Sequence, residues 1–201
     1  YAAGNVSFKD ISTFNLDEYC DLPKEHKNSY YSFMFENLFS KLDINADNVN
    51  FLDGNTTDPE AESARYAAAI AAKGGIDIQL LGIGRNGHIA FNEPADAFTG
   101  ESFKIALTQS TIDANTRFFA RKEDVPTQAY TMGIKTIMSA KKILLVANGE
   151  GKAEIIYKMV AGEITPQVPA SVLQLHNDVI VVVDEAAAAM LREKAPEYIE
   201  G

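Results

Sequence analysis

The chain has 201 residues and a formal net charge of -10, with 46% hydrophobic and 23% charged residues. That balance supports a folded core and excludes global disorder, while the acidity argues against nucleic acid or an anionic membrane as partner. The single Cys20 excludes an internal disulfide and a multi-cysteine metal site, and no stretch reaches the ~20 apolar residues of a membrane span. A reducing, cytoplasmic setting fits this composition best.

In chain order, the first strand-like run covers residues 6–14. A helical pattern follows over 29–42, with Tyr30, Phe33, Met34, Leu38 and Leu42 at helical spacing. After a strand-like run at 49–52, residues 58–72 form an alanine-rich helical pattern. It opens on Asp58-Pro59, a cap and a first-turn residue, and stops at Gly74-Gly75. Further strand-like runs lie at 76–81, 104–107, 129–132, 143–147 and 179–183, with helical patterns at 152–160 and 184–194. The runs 143–147 and 179–183 are continuously apolar, as strands buried on both faces of a parallel sheet would be. Residues 95–102 and 121–128 are the least regular. Strands and helices alternating to the end predict one α/β domain over 1–201, a three-layer Rossmann-like sandwich with a mostly parallel sheet.

The densest chemistry follows the run 76–81. There Gly82, Gly84 and Gly87 precede His88, and Glu93 comes five residues later. Glycines after a parallel strand let backbone approach a ligand, and strand carboxyl ends are where such sheets bind ligands. The spacing of the three glycines fits a dinucleotide fingerprint, but Pro94 interrupts the long helix that a nucleotide site needs. A His with a nearby carboxylate instead suits proton transfer on a small molecule. Asp17 follows the first strand-like run and is a second candidate acid or base; a capping or solvated role is its bland alternative. Arg117 and Lys152 are separated cations, read singly as a salt-bridged Arg and a surface Lys, although Lys152 sits where a strand turns into a helix and an anion is favoured. His26 reads as solvated and His176 as structural, and no spacing suggests a metal site.

Taken together, Thr13-Phe14-Asn15-Leu16-Asp17-Glu18-Tyr19, Leu22-Pro23-Lys24-Glu25-His26, Ser29-Tyr30-Tyr31-Ser32-Phe33-Met34, Gly84-x-Asn86-Gly87-His88-Ile89-Ala90-Phe91-Asn92-Glu93-Pro94 and Leu173-Gln174-Leu175-His176 resemble the glucosamine-6-phosphate deaminases. The resemblance covers nearly the whole chain. It implies conversion of glucosamine 6-phosphate and water to fructose 6-phosphate and ammonia in aminosugar catabolism, with neither cofactor nor metal. By that resemblance His88 assists ring opening with Glu93 as its partner, and Asp17 moves a proton between C2 and C1. Arg117 and Lys152 hold the phosphate, and Gly82 and Gly84 line the substrate. The partner is then a small-molecule sugar phosphate, with no nucleic acid and no membrane, and a homo-oligomer is compatible with the family.

Three departures qualify the transfer. Asn86 stands where many family members carry Asp, so it is expected to orient His88 or substrate by hydrogen bonding while Glu93 supplies the charge. Phe103 and Ile105 occupy positions where regulated members carry cations, so no allosteric activation by N-acetylglucosamine 6-phosphate is expected. Family members also begin with a further strand, a phosphate loop and a helix before the equivalent of Val6, which makes a fragment of a longer product the expectation. The competing readings are a 6-phosphogluconolactonase-like hydrolase, a galactosamine-6-phosphate deaminase and a non-catalytic sugar-phosphate sensor.

Overall fold

The structure is a computed structural model that describes residue 1 and residues 3–199. Its elements are β1 (Thr13–Phe14), β2 (Asp17–Tyr19), α1 (Tyr30–Asn37), β3 (Val49–Asn50), α2 (Pro59–Ala72), β4 (Ile78–Leu81), β5 (Phe103–Ala106), α3 (Gln109–Asn115), β6 (Gln128–Thr131), α4 (Ile134–Met138), β7 (Lys142–Ala147), α5 (Ala153–Ala161), β8 (Val179–Val183) and α6 (Glu185–Lys194). This is a mixed α/β fold with mostly parallel strand pairing. The chain forms two compact units, Tyr1–Lys73 with Ser102–Thr131, and Gly74–Glu101 with Met132–Gly201.

In the first unit β1 pairs in parallel with β3, and β2, β6 and β5 form an antiparallel sheet in that order. Helix α2 starts as its sequence dictates: the Asp58 carboxylate accepts from the Ala61 N–H at 3.0 Å, and Pro59 occupies the first turn. The fully buried Tyr66 of α2 donates its hydroxyl to the Asn15 carbonyl at 2.7 Å, tying the helix to the chain just after β1. Helix α1 is shorter than the pattern over 29–42, ending at Asn37 before a 3-10 turn over Phe39–Lys41. The run 6–14 contributes only Thr13–Phe14 to a strand. Its earlier part is held by Asp43, whose carboxylate accepts from the Ser7 hydroxyl at 2.6 Å and the Phe8 N–H at 2.7 Å.

The second unit is built on the parallel sheet β4-β7-β8, with β7 central. One face is core: Leu81, Ile143, Leu145 and Ala147 are buried, as are Ile155, Ile156, Met159 and Leu191 of α5 and α6, helices that pack on each other. The other face corrects the expectation of strands buried on both sides. Ile78 is 63% exposed, Leu80 59%, Ile180 45% and Val182 50%. Register places Leu80, Leu144 and Ile180 side by side, and Val146 beside Val182. Among the described residues no helix is long and apolar enough to cross a membrane.

Candidate active site

After Leu81, β4 runs into the turn Gly82 to His88. Two backbone bonds close it: Gly84 N–H to the His88 carbonyl at 2.8 Å, and Gly87 N–H to the Gly84 carbonyl at 3.1 Å. Gly87 lies at φ +89°, a conformation that L side chains rarely adopt. A Cβ on Gly84 would sit 2.4 to 2.5 Å from the His88 ring, so the imidazole folds over the turn only because nothing is there. Ala90 is itself left-handed at φ +52°, a cost of ~1 kcal/mol. The buried Asn92 secures this segment, donating to the Ile89 and Met132 carbonyls at 2.9 Å and accepting from the Thr99 hydroxyl at 2.5 Å.

The turn brings Asn86, His88 and Glu93 together. Glu93 is buried, and its Oε2 accepts from Asn86 Nδ2 at 2.6 Å while standing 3.4 Å from His88 Nδ1. Asn86 Oδ1 accepts from the His88 backbone N–H at 3.2 Å. The Nδ1 atom is buried without a hydrogen bond, so ring and carboxylate are adjacent but not aligned. A small rotation of the ring would close the contact, and such pairs are often loose before substrate arrives. The side chain of His88 keeps 23% of its surface open to solvent. A buried carboxylate behind a partly open imidazole is an arrangement for passing a proton to a bound molecule.

Because β7 runs parallel beside β4, the loop from Asn148 to Lys152 leaves the sheet at the same end as the His88 turn. Gly149 makes the bend at φ +87°. Its N–H donates to Asp184 at 3.0 Å, and the same carboxylate caps α6 through the Ala187 N–H at 2.8 Å. Lys152 Nζ donates to the Ile83 carbonyl, joining the two turns. Partial burial, and then the charge of Arg85, pull the Lys152 pKa below its ordinary value. The Arg85 guanidinium lies over Gly151, where a Cβ would meet it at 3.3 to 3.4 Å. Two cations to which no carboxylate is bonded among the described residues, at the start of α5, suit an anion. Sequence reading passed over Arg85, whose neighbour Lys152 lies far along the chain.

Asp17 opens β2, in register with Thr131 of β6. Enclosure of its carboxyl, with the negative Glu18 beside it, pushes its pKa up to about 7. Burial likewise raises the phenols of Tyr19, Tyr30 and Tyr66, all coupled to Asp17, so they stay uncharged near neutrality. Arg117 belongs to the same unit as Asp17, on a 3-10 turn over Thr116–Phe118, with its guanidinium 4.6 Å from the Phe118 ring centroid. Asn28 Nδ2 donates to the Phe118 carbonyl at 2.8 Å, and Phe119 packs edge-on against Tyr19, so this turn is fixed beside β2. Gly82, Gly84, Asn86, His88, Glu93 and Lys152 belong to the other unit. His176 has the structural part expected of it: Nδ1 accepts from the Asp178 N–H at 3.1 Å and Nε2 contacts the Ala140 carbonyl at 2.7 Å. His26 is less solvated than expected, stacking on Phe119.

The family profile for glucosamine-6-phosphate isomerases/6-phosphogluconolactonase matches residues 1–182. The chain belongs to this family. Among relatives, the glucosamine-6-phosphate deaminase of Clostridium acetobutylicum is 53% identical over 191 residues, covering 95% of this chain and 79% of the relative. The enzyme of that name from Clostridioides difficile is 53% identical over 189 residues, covering 94% and 76%. A solved monomeric glucosamine-6-phosphate deaminase superposes with a TM-score of 0.90 at 44% identity, over 94% of this chain and 78% of that one. The 6-phosphogluconolactonase of Thermotoga maritima shares the fold, with a TM-score of 0.69 at 18% identity over 90% of this chain and 76% of that one. Within this glucosamine-6-phosphate isomerase/6-phosphogluconolactonase family, the chain's high identities are to deaminases.

Proposed function

We propose that the protein is a glucosamine-6-phosphate deaminase: glucosamine 6-phosphate and water give fructose 6-phosphate and ammonia. The 53% identity to a deaminase across 95% of the chain carries this reading. His88, with Glu93 behind it, moves the proton from O1 to the ring oxygen as the C1–O5 bond breaks and an aldehyde forms. Asp17 takes the proton from C2 of that aldehyde, leaving an enolamine, and returns it to C1. The resulting imine at C2 adds water and expels ammonia, which leaves the C2 ketone. Lys152 with Arg85, and Arg117, bind the phosphate, so that binding energy remote from the reacting carbons orients C1 and C2. Asn86 steadies Glu93 and His88, consistent with its two hydrogen bonds. The setting that suits these reactants is the cytoplasm.

A neutral-range base is what C–H abstraction asks of a carboxyl, and the environment of Asp17 supports that role. The test is ammonia and fructose 6-phosphate release from glucosamine 6-phosphate, with galactosamine 6-phosphate and 6-phosphogluconolactone as alternative substrates. Asp17→Asn is expected to lower kcat at least 1,000-fold, roughly the scale of a lost acid–base group, while glucosamine 6-phosphate still binds. Turnover of the lactone in place of the aminosugar, or normal turnover by Asp17→Asn, would overturn the assignment.

A further inference from the structure

Glu18 follows Asp17 in β2 and points to the opposite face of the strand. It is 4% exposed, a burial that a carboxylate tolerates only with partners. Those partners are all backbone N–H groups. Oε1 accepts from Tyr19 and Tyr30 and Oε2 from Tyr31, each at 2.9 Å. Burial pushes the Glu18 pKa up, and the three N–H groups that its oxygens accept from oppose that by favouring the ionised form. Tyr30 and Tyr31 open α1, so one side chain satisfies two of the donors that a helix start leaves unpaired and ties that start to β2. No cation pairs with Glu18 among the described residues, and its negative charge is the one that bears on Asp17. The groups coupled to Asp17 from neighbouring elements are the phenols of Tyr19 in β2, Tyr30 in α1 and Tyr66 in α2, none of which is charged near neutrality.

We propose that Glu18 is the positioning residue of Asp17: through its three backbone hydrogen bonds it fixes β2, and with it the Asp17 carboxyl, against the first turn of α1, and it places a second buried carboxylate next along the strand. The proposal rests on Asp17 being the base of the deaminase reaction. A helix cap alone would need only the acceptor atoms. The charge matters as well, because a carboxylate beside an enclosed carboxyl disfavours ionisation of its neighbour.

The pH profile of kcat/KM for ammonia release separates the two parts. Glu18→Gln keeps the size and one acceptor oxygen but removes the charge. Its acidic limb is expected to move down by about one pH unit, the scale of a neighbouring like charge, so the variant retains more of its maximum at pH 6 than the parent. Glu18→Asp keeps the charge on a stem one methylene shorter, which cannot reach all three N–H groups. Its limb is expected to stay within about 0.3 unit of the parent while kcat falls about tenfold, equivalent to ~1.4 kcal/mol. An unmoved limb in folded Glu18→Gln, or an unchanged kcat in Glu18→Asp, overturns the proposal. If Glu18→Gln does not fold, Glu18→Asp alone decides. A parent chain that released no ammonia would fail the function, not this inference. Titration of the Asp17 carboxyl by carbon NMR in parent and Glu18→Gln would then read the same shift directly, and coincident curves would overturn it.

Discussion

At the scale of single residues, the group whose protonation matters most is Asp17. Burial, and then the negative charge of Glu18, push its pKa up to about 7 in the folded chain, well above the ordinary aspartate value of 3.8. The active form of a base is the deprotonated one, so kcat/KM is expected to fall about tenfold per unit below roughly pH 7. A profile flat down to pH 5 would remove Asp17 from the base's role. The same shift bears on stability with a definite sign. The folded state holds the proton through a range in which the unfolded chain has released it, so stability declines as pH rises between about 4 and 7, with the full penalty above that. Asp17→Asn removes the penalty. It is expected to be more stable than the parent by roughly 2–4 kcal/mol at pH 8, with the gain fading toward pH 4. Urea unfolding at both pH values measures this, and an equal effect at the two would show that the enclosure of Asp17 is not what shifts it.

At the scale of elements, what sequence could convey depended on the distance between partners. Asp58 with Pro59 announces α2, and Asp184 the start of α6, because each cap bonds an N–H three residues on. The Asn86, His88 and Glu93 cluster was legible for the same reason, since eight consecutive residues contain the whole of it. Strand β2 was not legible: it is three residues long, its ladder partner is β6, and two of the three donors that make Glu18 buriable are 12 and 13 residues away. The five-residue α4 and seven-residue α3 are too short for periodicity to show. Asp184 has a second duty that its sequence position concealed, holding the Gly149 N–H of the loop that carries Lys152. Asp184→Ala is therefore expected to cost about 1–2 kcal/mol in unfolding free energy, as a lost cap does, and also to raise KM for glucosamine 6-phosphate. Loss of stability with KM unchanged would make Asp184 a cap only.

For the molecule as a whole, the parallel sheet of the second unit shows where pattern reading reaches its limit. The runs Ile143 to Ala147 and Val179 to Val183 are apolar at every position, which sequence alone equates with burial on both faces. Apolar character favours burial and does not establish it. In β7 the inward face is closed, with Ile143 and Leu145 at 0% exposure, while Val146, Ile180 and Val182 of the other face lie open. The two faces should answer differently to substitution. Leu145→Ala removes packed atoms from a closed interior and is expected to cost 2–5 kcal/mol, the range for buried leucines. The double variant Ile180→Thr with Val182→Thr keeps β-branched side chains and replaces apolar atoms that water already reaches. It is expected to cost less than about 1 kcal/mol. Urea unfolding of the 201-residue chain measures both. A double-variant cost near that of Leu145→Ala would mean that the outer face of β7 and β8 is packed in solution, as the uninterrupted apolar pattern first suggested.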